Sequence, residues 1–395
     1  MTLLLLNQFY APGPAPTGEL LADLARHLAA QGDSVSVVCA RAPYAGSNGN
    51  APRDPDGVRV LRTPAFAFSH RRAARLASWL SFYAGALWHA LRSDADVVLT
   101  LTTPPLLSLA GALAQRLRGA RHFIWEMDLY PDVAVAVGVF PPRSWPDRIA
   151  GALADLARRR ADGVIAIGPC MRDRLMSRGV PGGLIHVVDN WADPAAIAPL
   201  PFPPGPYTLL YSGNLGLAHD VETIAAAIEA LNGDAGFRFV FAGGGPRRRA
   251  LEDRCRAAGV SNVFFEGYIE IGELSDHFGA CHVGLVTQHP ATLGCVVPCK
   301  TYALMAAGRP VLFIGPRQAT PARIIGRFAC GWQIDPGDSA GLVALLAVLA
   351  DNPNLVREAG RRARHAFLEN YTVQLGVARI ADVLCGNGKL SQWTR

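Results

Sequence analysis

Several features that would assign a protein class at sight are missing from this 395-residue sequence. No apolar run reaches the roughly 18 residues that a membrane-spanning helix needs, and the N-terminus lacks the basic and apolar regions of a signal peptide. The eight cysteines are scattered through apolar segments, as reduced core thiols usually are, and none forms part of a zinc-like pair of pairs. We therefore expect a cytoplasmic protein without a metal site, whose membrane contact, if present, is peripheral.

Acidic residues are outnumbered by basic ones, 32 against 38, which gives a net charge of +6 and a pI near 9.0. This balance favours anionic partners such as nucleotide diphosphates, polyprenyl phosphates or acidic lipid headgroups. The basic residues do not alternate with aromatic ones in a strip typical of nucleic-acid modules. We therefore predict no nucleic-acid partner.

Strand-like and helix-like segments alternate along the chain, which predicts parallel sheets covered by helices. A proline-dense stretch at residues 191–206 interrupts this alternation, and the pattern then begins again. The predicted fold is α/β, with two doubly wound Rossmann-like domains facing a cleft. The predicted boundaries are an N-terminal domain at 1–190, a linker at 191–206, a second domain at 207–370, and a terminal helix within 371–395 that packs back on the first domain.

Glycine-bearing turns follow the predicted strands, and such turns let a backbone approach a ligand closely. In the first domain Gly18 opens a helix, whose amides and dipole would attract an anion. The alternative for that turn is a stiff proline loop with Thr17 as the helix N-cap. In the second domain the turns lie at 211–216, 242–247 and 266–269, and together they would line one wall of the cleft.

The most informative segment is 294–312, where Pro298 precedes a short predicted helix that Gly308 ends. Lys300 falls in the first turn of this helix, where the helix dipole disfavours a cation. A bound diphosphate would remove the conflict, because the lysine and the helix end would both face it. The alternative is a solvated surface lysine.

The second-domain turns, the run Ala306-Ala307-Gly308-Arg309-Pro310-Val311 and the N-terminal segment 128–138 together resemble family-four glycosyltransferases of the GT-B fold. The resemblance is strongest to the branch that builds colanic acid and O-antigen, and it covers residues 3–385. It implies a retaining transfer from a nucleoside-diphosphate sugar, usually without a metal cofactor, to a lipid-linked or saccharide acceptor in cell-surface polysaccharide synthesis.

The resemblance also implies residue roles. Asp128, on the acceptor side, and Lys300, on the leaving group, would be catalytic. The implied donor-binding residues are Gly18, Gly213, Asn214, His219, Gly244, Arg247, Tyr268, Ile269, Pro298 and Cys299, with Tyr268 and Ile269 near the nucleobase. Many family members carry two glutamates where this chain has Cys295 and Ala303, and an arginine and a lysine where it has Asn214 and His219.

These departures leave other functions open. A GT-B-fold epimerase or hydrolase would share the fold, since a fold does not determine a reaction. A non-catalytic partner subunit would explain the absent glutamates. A dinucleotide dehydrogenase is disfavoured, because the first turn lacks the Gly-x-Gly-x-x-Gly pattern.

A predicted helix at residues 71–91 suggests how the protein meets a membrane. Arg71, Arg72 and Arg75 precede an aromatic-rich stretch that includes Trp79, a composition suited to the headgroup region of an anionic bilayer. We expect these residues to face the inner surface of the plasma membrane. The alternative is an ordinary domain helix whose aromatic residues fill the core.

Overall fold

The computed structural model describes residues 1–11, 15–41, 57–67 and 72–386. The chain divides into two compact units. The first comprises residues 1–189 with the C-terminal segment from Gln374, and the second comprises residues 190–373.

The first unit is built on a seven-stranded parallel sheet with the strand order β3-β2-β1-β4-β5-β6-β7. The strands are β1 Thr2–Leu6, β2 Ser34–Ala40, β3 Val58–Thr63, β4 Val97–Thr100, β5 Arg121–Glu126, β6 Gly163–Ala166 and β7 Ile185–Val187. The central strand β1 is a run of leucines that are almost completely buried, as expected for a strand covered on both faces.

The helices of this unit are α1 Pro16–Ala30, α2 Arg72–Arg92, α3 Ser108–Arg118, α4 Asp132–Ala136, α5 Trp145–Arg160 and α6 Pro169–Ser177. Helix α3 packs against α2 on one side and α5 on the other. These three helices follow strands that advance in the same direction across the sheet. Right-handed crossovers therefore place them in one layer on one face.

The second unit has a six-stranded parallel sheet in the order β10-β9-β8-β11-β12-β13. Its strands are β8 Tyr207–Ser212, β9 Phe237–Ala242, β10 Val263–Glu266, β11 Val283–Thr287, β12 Val311–Ile314 and β13 Gly331–Ile334. Its helices are α7 Glu222–Ala230, α8 Pro246–Ala257, α9 Leu274–Gly279, α10 Lys300–Ala306, α11 Thr320–Phe328, α12 Ser339–Asp351 and α13 Pro353–Asn370. The last helix, α14 Val373–Cys385, falls almost entirely in the first unit.

The two doubly wound α/β sheets predicted from the sequence are confirmed, and a few local predictions are wrong. Helix α4 and strand β7 were not predicted, because each is too short to show a periodic pattern. Thr17 is not an N-cap: α1 begins at Pro16 with Ala15 at the cap, and the Thr17 hydroxyl lies 3.4 Å from Nδ2 of Asn7.

The proline-dense stretch has neither helix nor strand, and hydrogen bonds hold it against the rest of the second unit. The buried guanidinium of Arg309 donates to the carbonyl oxygens of Leu200 and Pro201, at 3.1 and 2.9 Å. The same group donates to the carbonyl of Phe278 at 2.9 Å. Backbone acceptors that proline-rich chain cannot pair within itself are thereby satisfied.

Across the described ranges, no single helix combines the length and apolar composition needed to cross a membrane. Among the described helices, the pair α12 and α13, bent by 98°, is the one that meets these criteria jointly.

Candidate functional site

The candidate site lies at the carboxyl edge of the second sheet, where three strands end in register. Ser212 of β8 pairs with Ala242 of β9, and Ala242 pairs with Glu266 of β10. The three glycine-bearing turns therefore emerge side by side at one sheet edge, as predicted. In open α/β sheets, this edge is where ligands bind.

The first two turns interlock through their backbones. The amide of Leu215 donates to the carbonyl of Gly244 at 2.8 Å, and the amide of Gly213 donates to that of Ala242 at 2.8 Å. A Cβ on Gly243 would lie 2.4 Å from the carbonyl oxygen of Gly213, and the φ of Gly243 is +111°. Only glycine fits there, so the turn that borders the site is held in one shape.

Lys300 lies directly beside these turns, at the first residue of α10. Its Nζ is 5.2 Å from the centre of the Tyr211 ring, and a Cβ on Gly213 would come within 2.7 Å of its Cε. No described carboxylate forms an ion pair with Lys300, and burial lowers the pKa of its ammonium group. An ammonium group that is partly desolvated and lacks a counter-ion fits an anionic ligand at this edge.

The two residues before Lys300 set the start of α10. Cys299 occupies the N-cap and is exposed, while Pro298 is buried and its carbonyl oxygen accepts a hydrogen bond of 3.1 Å from the Thr301 hydroxyl. Their placement aims the first turn of the helix, and with it Lys300, toward the glycine turns.

His219 approaches the same ring from another side. Its Nδ1 lies 2.9 Å from the carbonyl oxygen of Thr287, which can only accept, so Nδ1 carries the hydrogen. Its Nε2 lies 3.4 Å from the Tyr211 hydroxyl, which in turn donates to the carbonyl of Asn214 at 2.8 Å. Burial, and secondarily the charge of Lys300, lower the pKa of His219 to about 3. The imidazole is therefore neutral and adds no positive charge beside Lys300.

The third turn brings an aromatic side chain over the glycine turn of β9. Tyr268 is 70% exposed, and a Cβ on Gly244 would lie 2.8 Å from its hydroxyl oxygen. Ile269 beside it is half-buried. The amide of Arg247 donates to the carbonyl of Leu215 at 3.1 Å, and its buried Nε has no hydrogen-bond partner among the described residues.

Gly18 belongs to the first unit and serves close packing there. A Cβ on it would lie 3.0 Å from the Cα of Tyr10, and its amide already donates to the carbonyl of Ala15 at 2.8 Å. The helix can approach the preceding loop only because this residue lacks a side chain.

Asp128 follows β5 at the carboxyl edge of the first sheet. Its amide is 3.3 Å from the Thr102 hydroxyl, while its half-buried carboxylate receives no hydrogen bond from any described residue. It is not a helix cap, because Pro131 holds the N-cap of α4. Burial, and then the charge of Glu126, raise the pKa of Asp128 to about 6.

Glu126 itself is paired. Its Oε1 accepts a 2.7 Å hydrogen bond from Nε of Arg158, and both side chains are 3% exposed. Arg158 also donates to the carbonyl of Tyr130, so this buried pair anchors the loop that carries Asp128.

Of the predicted membrane-facing residues, Arg71 lies outside the described ranges, as does the side chain of Arg72. The guanidinium of Arg75 lies 5.4 Å from the ring of Trp79, which is half-buried. The most exposed apolar residues of α2 are instead Leu76, Leu80 and Trp88.

Sequence reasoning placed Tyr211 in the first glycine turn without assigning it a contact, and it did not single out Thr287; these two residues position Lys300 and His219. Both are apolar-strand residues by pattern, and no local signal marks their contacts with residues 89 and 68 positions away. No cluster of three or more potential metal ligands occurs in the part of the chain that the structure describes.

Comparison with known proteins agrees with this architecture. Residues 17–191 match the family model described as "Glycosyl transferase 4-like domain", and residues 193–366 match "Glycosyl transferases group 1". The protein is thus a glycosyltransferase with the GT-B fold. It belongs to the family-four glycosyltransferases, in the branch of O-antigen and colanic acid biosynthesis.

Individual relatives include the protein named as glycosyltransferase WbjE of Pseudomonas aeruginosa, 28% identical over 72% of this chain and 73% of the relative. Another is WcaI of Escherichia coli K12, named for colanic acid biosynthesis, 24% identical over 78% of this chain and 82% of the relative.

Among solved structures, sucrose-phosphate synthase of Thermosynechococcus elongatus superposes with a TM-score of 0.77 at 17% identity, covering 98% of each chain. Anabaena HepE, solved with UDP-glucose, gives 0.70 at 16% identity, covering 98% of this chain and 100% of that one. WaaG, named for lipopolysaccharide biosynthesis, gives 0.70 at 18% identity with the same coverage. These three likenesses show the fold.

Proposed function

We propose that this glycosyltransferase is a retaining enzyme that moves a sugar from a nucleoside diphosphate to a lipid-linked or saccharide acceptor in cell-surface polysaccharide synthesis. The observation that carries the proposal is Lys300, whose ammonium group has no counter-ion among the described residues and lies beside the Gly213 turn, at the sheet edge where the three glycine turns emerge. The names of WcaI, for colanic acid biosynthesis, and WaaG, for lipopolysaccharide biosynthesis, support this class of product. The UDP-glucose bound to HepE supports this class of donor.

In this proposal Lys300 stabilises the charge that develops on the leaving diphosphate. Charge of this kind is best stabilised by a donor already oriented before reaction, and the ring of Tyr211 together with the backbone of Gly213 orients this one. No metal is part of the proposal. The exposed ring of Tyr268 supplies a surface on which the nucleobase stacks.

Asp128 is proposed to accept a proton from the acceptor hydroxyl. Its carboxylate makes no hydrogen bond with a described residue, and the pKa of about 6 makes it a stronger base than an ordinary aspartate while leaving it ionised at neutral pH.

We also propose that the protein is cytoplasmic and docks on the inner face of the plasma membrane through the N-terminal part of α2. Arg71, Arg72, Arg75 and Trp79 carry this part of the proposal as a sequence pattern. The exposed Leu76 and Leu80 on the same helix support it.

A donor and acceptor panel tests the proposal. Thermal shift with UDP-, GDP- and TDP-sugars identifies the nucleotide, and a transfer assay with polyprenyl-diphosphate-linked sugars measures the reaction. We expect stabilisation by one nucleotide class, acceptor-dependent release of the nucleoside diphosphate, and retention of the donor's anomeric configuration in the NMR spectrum of the product.

The alternatives give different results in the same assays. Release of free sugar or an epimerised donor without acceptor would indicate a hydrolase or epimerase. Donor binding with no turnover on any acceptor would favour a non-catalytic subunit, which the absence of glutamates at Cys295 and Ala303 would then explain.

A further inference from the structure

Helix α5 has its large apolar residues on the solvent side. Trp145 is 75% exposed, Ile149 54%, Leu153 37% and Leu156 39%, at intervals of four, four and three residues that place them on one helix face. The residues that α5 buries are Gly151, Ala154, Ala157 and Arg158. This reverses the usual arrangement, in which a surface helix turns its large apolar residues to the core.

The inward face of α5 carries mainly small residues, because charged side chains occupy the space between the helix and the sheet. Arg158 reaches in to pair with Glu126, and a Cβ on Gly151 would come within 2.7 Å of the guanidinium of Arg178. Large apolar side chains therefore have no room on the sheet side. The exposure of one tryptophan and three aliphatic residues follows from how this helix packs.

The charges on this face have one sign. Arg148, Arg159 and Arg160 are exposed beside the apolar stripe, and none forms an ion pair with another described residue. Both aspartates of α5 are engaged locally: Asp147 accepts the amide of Arg143, and Asp155 pairs with Arg158 and Arg178. The outward face of α5 thus presents arginine and apolar groups without a free carboxylate.

The stripe continues across the helix layer. Helix α3 separates α5 from α2 and exposes Leu117, at 60%, next to Arg116. Helix α2 exposes Leu80 and Trp88 and contains no acidic residue. Because the three helices cover one face of a single sheet, their outward sides point in the same direction.

We propose that α5 is a docking helix for the surface of a bilayer containing anionic phospholipids, with Trp145, Ile149, Leu153 and Leu156 in the headgroup region and Arg148, Arg159 and Arg160 on lipid phosphates. The observation that selects a lipid surface over a protein is the charge pattern, in which arginines flank an apolar stripe on the outside of a helix layer. This inference rests on the membrane docking proposed for α2 and adds a second contact that the sequence pattern did not indicate.

Co-sedimentation of the full-length protein with vesicles tests it, using phosphatidylcholine alone and phosphatidylcholine mixed with phosphatidylglycerol. We compare the wild type with Arg148→Gln/Arg159→Gln/Arg160→Gln and with Trp145→Gln/Ile149→Gln. A matched control on the second unit, Val348→Gln/Leu355→Gln/Arg357→Gln, changes exposed residues of the same kinds.

Each arginine at an anionic surface contributes about a fivefold factor in partitioning, so the triple variant should bind mixed vesicles about 100-fold more weakly. The Trp145/Ile149 variant should bind both kinds of vesicle more weakly, through the contact that α2 retains, and the control should bind as the wild type does. Nucleotide-sugar binding, measured by thermal shift, should be unchanged in all of them, which also shows that the variants fold.

Three results would overturn the inference. If both α5 variants bound vesicles as tightly as the wild type, docking would be assigned to α2 alone. Absence of wild-type binding to any vesicle would remove both membrane contacts, while transfer to a soluble acceptor would still test the glycosyltransferase proposal. A wild-type dimer that becomes monomeric in the Trp145/Ile149 variant, with no vesicle binding, would assign the face to a second copy of the chain.

Discussion

Replacement of Lys300 by methionine should separate function from stability at the candidate site. Methionine keeps the length of the side chain over the Tyr211 ring and removes the ammonium group. A donor aimed at developing charge is typically worth about 3 kcal/mol in the transition state, so we expect kcat/KM to fall by roughly 100- to 1000-fold. A charge-assisted contact already made in the ground state, worth about 1.5–3 kcal/mol, would appear as weaker nucleotide-sugar binding.

Stability should respond differently. The cation–π contact at 5.2 Å is worth about 0.5–1 kcal/mol. Its loss is offset because the variant no longer carries the free-energy cost of partly desolvating a charged ammonium group that has no described counter-ion. The free energy of unfolding at pH 7 should therefore stay the same or rise. Since folding lowers the pKa of Lys300 from its ordinary 10.5, the charged form disfavours folding at neutral pH, and this cost is relieved as pH rises through the lowered pKa.

The assays are transfer kinetics and urea unfolding on the same preparations, with Arg256→Gln, an exposed cation elsewhere in the second unit, as the control. Full activity in the methionine variant would refute a role for Lys300 in transfer. Loss of activity together with a matching loss of stability would show instead that the lysine supports the fold.

Three further outcomes are expected. Glu126→Gln should lower the free energy of unfolding by up to about 3–5 kcal/mol, because the buried Arg158 loses its closest carboxylate and keeps only Asp155, at 3.2 Å. Gly243→Ala should destabilise the second unit by more than the roughly 1–3 kcal/mol of backbone strain, since a clash at 2.4 Å adds to it; Gly205→Ala, with φ +95° and open space, measures the strain alone. The rate of transfer should rise with pH through about 6 in the wild type, and Asp128→Asn should abolish this limb of the profile.

Each outcome has a control or a contrary result. For the buried pair, Asp253→Asn breaks an exposed pair and should cost less than about 1 kcal/mol. For the glycine, equal losses at both positions would mean that no clash occurs. For Asp128, an unchanged pH profile in the asparagine variant would assign the titration to another group. Because folding raises the pKa of Asp128 from 3.8, its ionisation disfavours folding above pH 6, so the asparagine variant should not be less stable there.

The sequence predicted the sheets well because their strands are continuous apolar runs, and it predicted the three glycine turns because they follow those runs directly. It did not predict which side chains meet there. Tyr211 is the next-to-last residue of β8 and Lys300 is the first residue of α10. Their contact depends on β8 pairing with β11, because this pairing brings the loop after β11 beside the first glycine turn. That pairing is a property of strand order, which no local pattern encodes.

Helix α5 shows a second reason why pattern alone falls short. Periodicity identifies a helix and an apolar stripe, and the usual rule then turns the stripe inward. Here the position of Glu126 beneath the helix draws Arg158 inward, at 3% exposure, and the small residues Gly151 and Ala154 follow on the same face. We infer that the buried ion pair sets the orientation of α5, because the pair occupies the inner face and the apolar stripe then lies outside. If the pair sets the orientation, the double variant Glu126→Gln/Arg158→Leu should be more stable than Glu126→Gln, since a buried pair can be replaced by apolar packing. Arg158→Leu alone should be less stable than the double variant, because it leaves the buried Glu126 without its arginine. Equal stability of the single and double variants would show that the orientation of α5 has another cause.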